Sequence, residues 1–200
     1  MTETVTETVT ELALFPLNTV LFPGGPLPLR IFEPRYLDMI SRCLKQDEGF
    51  GVCLIERGEE TGHTHTHNIG TLARIGDWSG GEDGMLHILA HGSRRFRALE
   101  THTQTDGLNF AEVEWLPAEP TALLPETAYP LADLLRQILT QVPEHYRGIE
   151  PRYDDASWVG YRLTELLPLP PGQRQYFLEI SDPLKRLEIL QTLVEALAER

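Results

Sequence analysis

A proline-rich segment, residues 117–128, divides this 200-residue chain into two halves whose apolar residues repeat with different periods. Before it, short apolar runs alternate with polar residues between glycines and prolines, a pattern typical of strands. After it, apolar residues recur at every third or fourth position, which is typical of helices that pack on one face. The sequence therefore predicts an α+β fold, with strands and one helix in residues 12–116 and a helical subdomain in residues 129–200.

The first half contains about six short strands, and their spacing predicts a small barrel or half-barrel. Prolines interrupt residues 12–32 and leave two short strands there, because proline is excluded from central ladders. A helix is predicted from Glu33 to Asp47, with Pro34 suited to the first helical position. Further along, residues 85–91 and 94–105 are predicted as two separate strands.

Turn and cap residues add detail to both halves. Asp106 and Gly107 predict a two-residue hairpin turn, in which both residues take positive φ angles. In the second half, Asp155 and Asp182 stand where helix N-caps are expected, and Pro183 suits the first position of the last helix. The helical subdomain is therefore expected to contain about four helices.

Charge and composition exclude several classes of protein. Thirty acidic residues outnumber seventeen basic ones, and the net charge of −13 disfavours general binding to nucleic acid or to anionic lipid. No apolar run is long enough for a membrane span, and the N-terminus lacks the features of a secretory signal. Cys43 and Cys53 are expected to be small buried hydrophobic residues in a cytoplasmic protein. Residues 1–11, in which Thr-Glu-Thr-Val occurs twice, are expected to form a disordered tail.

Blocks of sequence in both halves resemble one protein family. The first block is LFPLNTVLFPGGPLPLRIFEPRYLDMI, and GFGVCLI, NIGTLARIGDW and GMLHILAHGSRRFRAL follow in the same order. The helical half adds LPLPPGQRQYFLEISDPLKRLEILQTLVEAL. These blocks, which cover roughly residues 12–197, are similar to the N-terminal domain of Lon protease. The resemblance implies a PUA-like pseudo-β-barrel followed by a helical bundle, in a domain that helps to recognise protein substrates and assists assembly.

The chain lacks the sequence signatures of that family's catalytic modules. No G-x-x-x-x-G-K-[ST] segment is present, so no phosphate-binding loop with its lysine is expected. The chain has two lysines, Lys45 and Lys185, and the surroundings of Ser181 and Lys185 do not resemble the family's catalytic Ser-Lys segment. We therefore expect a stand-alone substrate-binding domain with no enzymatic activity and no cofactor.

Two groups of residues are candidates for contact with a peptide. The first group surrounds the predicted strand-to-helix turn: Arg30, Glu33, Arg35 and Tyr36. Either a buried Arg–Glu pair or a peptide-facing surface would use these residue types. The second group, Tyr146 and Tyr153, lies in a loop between two helices, where a groove or a plain connector is expected.

The tightest basic cluster consists of Arg94, Arg95 and Arg97. Three arginines make a small patch rather than a track, so RNA binding is not expected from them. Pairing with Glu112 or Glu114 across the predicted hairpin is the simpler expectation.

A run of alternating histidines and threonines contains His63, His65 and His67. On a strand the three histidines would share one face, as the ligands of one metal site do. No acid or cysteine stands near them at a ligand spacing, so we expect an exposed hairpin tip and no metal site.

The predicted function is a non-catalytic module that binds unfolded or extended protein segments in a groove between barrel and helices, in protein quality control or proteolysis. Apolar contacts would supply most of the affinity, an edge strand would add backbone hydrogen bonds, and the acidic surface would favour neutral or basic clients. A separate protease or chaperone is the expected partner, and no nucleic acid or membrane is expected to bind. Two alternatives stay open: a cryptic peptidase or hydrolase, and a PUA-like RNA-binding protein.

Overall fold

The computed structural model describes residues 10–58, 65–81, 85–142, 144–146 and 148–198. Seven strands occupy the first half: β1 (Thr10–Leu17), β2 (Pro26–Ile31), β3 (Phe50–Arg57), β4 (His65–Thr66), β5 (Ile69–Gly80), β6 (Leu86–Thr103) and β7 (Asn109–Trp115). The helices are α1 (Pro34–Gln46), α2 (Tyr129–Leu139), α3 (Ala156–Leu166), α4 (Pro171–Glu179) and α5 (Pro183–Ala198). Residues 1–9 of the predicted tail lie outside the described residues, and Thr10 and Glu11 begin β1.

Five of the strands close into a barrel, in the order β1-β7-β6-β5-β3. Antiparallel pairs join these neighbours, and the parallel pairing of β1 with β3 closes the ring. The short β4 pairs with β3, and β2 pairs with β6 outside the ring. This barrel with α1, followed by four helices, confirms the predicted α+β fold.

The strand β6 is continuous where the sequence predicts two strands. Its first part pairs with β2 and β5, and its second part pairs with β7. Gly92 separates the two parts because the chain near Phe22 passes directly over it, and a Cβ at Gly92 would lie 2.1 Å from the carbonyl oxygen of Phe22. Gly92 also donates a hydrogen bond to the carbonyl of Gly25 at 2.8 Å. The glycine therefore marks a close approach of two chain segments and not a break in the strand.

The hairpin between β6 and β7 differs from the predicted two-residue turn. The amide of Gln104 donates to the carbonyl of Leu108 at 2.8 Å, which leaves three residues in the loop. Gly107 has a φ of 85°, whereas Asp106 does not have a positive φ. The Asp106 carboxylate instead accepts a hydrogen bond from the amide of Leu108 at 2.9 Å. A three-residue hairpin loop needs glycine at one position alone, which explains the error.

Prolines protect the free edge of β2. Pro26 and Pro28 lie two residues apart, so their nitrogens point to the same side of the strand. Since β2 pairs with β6 along its whole length, this side is the one that faces away from β6. Proline has no N–H group, so the outer edge of β2 is a poor template for an added strand.

Local signals place the helix ends as predicted. The Asp155 carboxylate accepts a hydrogen bond from the amide of Trp158 at 3.1 Å and caps α3. The Asp182 carboxylate accepts one from the amide of Leu184 at 2.9 Å, just before α5. Asp47 ends α1 in the left-handed conformation, with a φ of 53°. None of the helices formed by the described residues is long and apolar enough to cross a membrane.

The helices and the barrel share one hydrophobic core. Phe22, Leu54 and Ile69 of the barrel half pack in the same cluster as Leu135 of α2 and Leu163 of α3. Two further clusters lie within the barrel half, one of them beneath α1. The halves are thus joined by buried apolar side chains as well as by the chain itself.

The cysteines are buried, as expected. Cys43 lies on the inner face of α1 and Cys53 lies in β3, and both are free thiols. Burial raises the pKa of both thiols, that of Cys53 to about 12. A thiol with so high a pKa is a poor nucleophile, so these residues act as packing groups.

Gly70 should be among the least replaceable residues of the barrel. A Cβ there would lie 2.5 Å from the carbonyl oxygen of Val52 and 2.7 Å from the Phe96 ring. We expect Gly70→Ala to lower the free energy of unfolding by at least about 2 kcal/mol, because backbone and core would both have to move. Gly80→Ala is the matched control, because no atom lies within 4 Å of its position. Urea titration of the two variants should separate them, and equal stabilities would contradict this packing.

Candidate functional site

The residues predicted around the first strand-to-helix turn lie together. Arg35 donates from Nε to Glu33 Oε2 at 3.0 Å and from Nη1 to the carbonyl of Gly107 at 2.7 Å, so it ties the start of α1 to the β6–β7 hairpin. Tyr36 is only 3% exposed and packs against Phe15, with ring centroids 4.0 Å apart. Arg30 is exposed, with Nη2 lying 3.6 Å from the Met85 sulfur. Most of this group supports the fold locally.

The three clustered arginines have different environments. Arg97 lies 3.5 Å from Glu114 Oε2 across the hairpin, which confirms the predicted pairing for that residue. Arg94 stacks over the ring of Trp115 at 3.7 Å. Arg95, for which the same pairing across the hairpin was predicted, is buried and reaches into the helical half, so the prediction is wrong for Arg95. The arginines therefore do not form one basic patch.

The histidine run does not assemble a metal site in the part of the chain that the structure describes. His65 belongs to β4, and His67 Nδ1 lies 4.0 Å from Glu179 Oε1. Among the described residues no group of three or more His, Cys, Asp or Glu is placed to hold a metal ion. His63 lies outside the described residues.

A buried carboxylate, Glu119, joins the barrel to the helices. It accepts hydrogen bonds from Ser157 Oγ at 2.7 Å, from Arg186 Nη1 at 3.0 Å and from the Tyr161 hydroxyl. Arg95 Nη2 lies 3.5 Å from Glu119 Oε1. Burial by itself would raise the pKa of Glu119, but the hydrogen bonds and the charge of Arg186 outweigh it and hold the pKa below its usual value.

Arg95 completes the joint on the barrel side. Its Nη1 donates to the carbonyl of Leu178 at 2.6 Å, and its Nη2 donates to Ser181 Oγ at 3.3 Å. A strand residue of the barrel thus satisfies backbone carbonyls at the end of α4. These carbonyls belong to the orphan groups that every helix C-terminus leaves.

The contact between Ser157 and Glu119 resembles a nucleophile beside a base but is not suited to catalysis. A general base needs a pKa near the working pH, and Glu119 has a lowered pKa. Its oxygens are already occupied by two arginines and two hydroxyls. The arrangement stabilises the joint, and a carboxylate whose pKa is lowered is too weak a base to activate the serine.

A cleft of about 510 Å³ with mixed polar and apolar walls, here called the seam cleft, lies between the barrel and the helices. Its barrel side includes Gly24 and Arg94, its helical side includes Arg152 and Ser157, and residues 116–121 run along it. Arg152 is 60% exposed and lies 3.3 Å from Asp155 Oδ2. The sequence predicts a groove between the two halves, and the seam cleft lies between them, with arginines as well as apolar groups in its walls.

An apolar groove of about 580 Å³, here called the helical groove, lies on the helical half. Its lining residues are Leu123, Leu124, Tyr129, Ala132, Asp133, Arg136, Tyr153 and Asp154. Leu123 is 77% exposed and Tyr129 is 53% exposed, and both line the groove. Exposed apolar side chains that share one groove are typical of a binding surface.

A smaller pocket of about 250 Å³ adjoins the helical groove and shares Arg136 and Tyr153 with it. Tyr146 lines this pocket, so the structure brings the two predicted tyrosines together. The ring of Tyr153 meets that of Trp158 edge to face at 5.3 Å, and Arg136 stacks over it at 4.3 Å. Tyr153 is therefore held in place between two exposed cavities.

A second buried ion pair fixes the helices to the loop before β2. Arg162 Nε lies 3.2 Å from Glu165 Oε2, and Arg162 Nη2 donates to the carbonyl of Pro23 at 2.9 Å. Burial raises the pKa of Glu165 to about 7, although Arg162 opposes the shift. Gly25 leaves room for this pair, because a Cβ there would lie 2.3 Å from Glu165 Oε1 and would displace the carboxylate.

Sequence reasoning missed most of these buried charges. Arg162 and Arg186 do carry a signal, since each interrupts the apolar stripe of its helix, next to Leu163 and Leu187. A charge on an inward face requires a partner. Glu119 has no comparable signal, because it stands among prolines in a segment without periodicity.

Comparison with known proteins points to one family. The chain matches the family model described as the ATP-dependent protease La (LON) substrate-binding domain over residues 11–196. It is 31% identical over 194 residues to a Lon protease of Paraburkholderia phytofirmans, covering 88% of this chain and 23% of that protein. It is 30% identical over 155 residues to the protein cereblon of Xenopus tropicalis, covering 76% of this chain and 33% of that protein.

A solved structure shares the fold. The Lon N-terminal domain protein from Xanthomonas campestris is 39% identical in sequence and superposes with a TM-score of 0.78. The match covers 92% of this chain and 98% of that protein chain. The curated relatives above are longer, and the chain spans only about a quarter to a third of their length.

Removal of the Glu119 charge should weaken the joint strongly. We expect Glu119→Gln to lower the free energy of unfolding by about 3–5 kcal/mol, because it leaves the buried Arg95 and Arg186 without a counter-charge. Glu114→Gln, which breaks the exposed pair with Arg97, should cost at most about 1 kcal/mol. Urea unfolding followed by circular dichroism measures both. A loss as small as that of the control would show that Glu119 does not hold the halves together.

Glu165 should make the stability depend on pH. Its pKa is 4.5 when unperturbed and about 7 in the folded protein, so the folded state binds more protons between these values. The contribution of Glu165 to the free energy of unfolding is therefore complete below about pH 4.5 and is lost as the pH rises through about 7. Glu165→Gln should abolish this decrease, whereas exposed Glu188→Gln should leave it unchanged. Unfolding free energies between pH 4.5 and 8 test this, and parallel curves for the wild type and Glu165→Gln would refute it.

Proposed function

The chain belongs to the LON substrate-binding domain family, and from this membership we propose that it is a non-catalytic module that binds extended or unfolded segments of other proteins. The observation that carries the proposal is the helical groove with its two large exposed apolar side chains, Leu123 and Tyr129. A folded client hides its apolar residues, whereas an unfolded client offers them. An exposed apolar groove therefore favours the unfolded form.

The rim of the helical groove defines the chemistry of the client further. Asp133, Asp154 and Arg136 line the groove, and Arg136 forms an ion pair with Asp133. Both side chains of this pair are exposed. The acids therefore outnumber the cation at this rim, in a chain with a net charge of −13. Apolar segments flanked by neutral or basic residues fit this surface better than acidic ones.

The small pocket beside the groove adds a place for a single side chain. Its walls include Leu139, Ile149 and Trp158, and Tyr153 separates it from the main groove. Apolar pockets that take one anchor residue often supply much of the affinity of a peptide complex. We place the client along the helical groove with one large side chain in this pocket.

A link to proteolysis follows from the family and is part of the proposal. The module would hold the client and a protease or chaperone would process it. The contact of Ser157 with the ionised Glu119, whose pKa is lowered, supports the absence of catalysis by that pair. The distribution of Arg94, Arg95 and Arg97 over three environments speaks against the RNA-binding alternative.

Binding to an unfolded protein tests the proposal. The probe is fluorescently labelled ribonuclease A, reduced and blocked with iodoacetamide, with the native form for comparison. We expect the full chain to bind the blocked form selectively, and the variant L123S/Y129S to bind it about tenfold more weakly, because two anchors are lost. Fluorescence anisotropy gives the affinities, and gel electrophoresis of the same mixtures detects cleavage.

The chain offers a matched control for this variant. Leu99 and Tyr176 are also exposed large side chains, and Tyr176 is 53% exposed like Tyr129, but neither lines the groove. L99S/Y176S should change the affinity by no more than about twofold. Equal losses in both double variants would refute the groove as the site. Equal binding of native and blocked probe would refute client selection, and cleavage that survives repurification would refute the non-catalytic assignment.

A further inference from the structure

The seam cleft differs from the helical groove in the charge that it exposes. Arg94 reaches it from the barrel and Arg152 from the helical half, and both side chains are exposed. Arg94 is held flat on the ring of Trp115 at 3.7 Å, which fixes its position and leaves its outer face to the solvent. Two cations therefore stand on opposite walls of one cleft, in a strongly acidic chain.

Each acid that lines the seam cleft is paired with an arginine, and the lining arginines outnumber the lining acids by three to two. Glu119 is bound by Arg95 and Arg186, and Asp155 caps α3 while lying 3.3 Å from Arg152. Arg94 has no acidic partner among the described residues. The cleft thus presents a local excess of positive charge that an anionic ligand can use.

The floor of the seam cleft offers backbone groups as well. The main chain of residues 117–121 forms no backbone hydrogen bond with any described residue, although Leu116 donates to Arg95 and Ala156 donates to Ala122 on either side of it. Pro117 and Pro120 lack an N–H group, but the three other amides and all five carbonyls remain available. The side chains of this stretch are exposed apart from Glu119.

We propose that the seam cleft is a second binding site, which takes an acidic, extended polypeptide segment. Carboxylates of the segment would pair with Arg94 and Arg152, and its backbone would hydrogen-bond to residues 117–121. A peptide fits these features better than a nucleic acid, because the free amides and carbonyls match a peptide backbone. Two exposed arginines are also fewer than a phosphate track requires. This site is independent of the helical groove, whose rim favours the opposite charge.

Titration with short peptides tests the site directly. The probe is a labelled peptide of alternating Thr and Glu, and the comparison peptides alternate Thr with Gln or with Lys. We expect the full chain to bind the Thr-Glu peptide best at low ionic strength, and R94Q/R152Q to weaken this binding about three- to tenfold. The control R57Q/R97Q also removes two positive charges, but from exposed arginines outside the cleft. It should change the affinity for the Thr-Glu peptide by no more than about twofold.

Three further measurements make the outcome decisive. A Thr-Glu peptide methylated on alternate backbone nitrogens should bind more weakly than the plain peptide, because it cannot form the backbone bonds. Tighter Arg94-dependent binding of oligouridylate than of the peptide would overturn the proposal in favour of a nucleic acid. The last measurement asks whether the chain's own N-terminal acids occupy the cleft. If E3Q/E7Q raised the affinity for the Thr-Glu peptide in the wild type but not in the R94Q/R152Q background, those acids would be the occupant, and the proposal would be overturned.

The two sites can fail separately. Binding of the Thr-Glu peptide that is no stronger than that of the Thr-Gln peptide refutes the seam cleft and says nothing against the helical groove. L123S/Y129S should leave the affinity for the Thr-Glu peptide unchanged, whereas R94Q/R152Q should leave that for blocked ribonuclease A unchanged. Loss of both activities in either variant would contradict two independent sites.

Discussion

The relation between barrel and helices depends on the buried carboxylate of Glu119. Hydroxyls of Ser157 and Tyr161 on α3, the guanidinium of Arg186 on α5 and that of Arg95 on β6 all converge on it. A carboxylate accepts about four hydrogen bonds, and Ser157, Tyr161 and two nitrogens of Arg186 supply four, while Arg95 adds a positive charge at 3.5 Å. Because the side chains of Glu119, Arg95 and Arg186 are buried, displacement of one half relative to the other would strand at least one charge.

The segment that carries Glu119 also builds both candidate surfaces. Residues 117–121 run along the seam cleft, and Leu123 and Leu124 line the helical groove directly after them. The amide of Leu124 donates to the carbonyl of Asp154 at 2.8 Å and holds this stretch against the entry to α3. A segment that reads as a plain connector in the sequence is therefore the part on which the position of both surfaces depends.

Local patterns predicted the elements well, and contacts between distant residues explain where they failed. The caps Asp155 and Asp182 act within one helical turn, so a short stretch of sequence contains the whole signal. Gly92 looks like a strand break because its partner, the chain near Phe22, is distant in sequence. For the same reason no local pattern showed that Arg95 turns inward to the end of α4.

The net charge of the chain conceals how its arginines are used. Three arginines are buried and form ion pairs with acids, so they contribute little to the electrostatic field outside the molecule: Arg95, Arg162 and Arg186. Arg94 and Arg152 remain exposed at the seam cleft, whereas acids border the helical groove. Two surfaces that share one segment thus select opposite charges. Discrimination of this kind needs repulsion at the wrong site as well as attraction at the right one, and Asp133 and Asp154 at the helical groove supply the repulsion for acidic ligands.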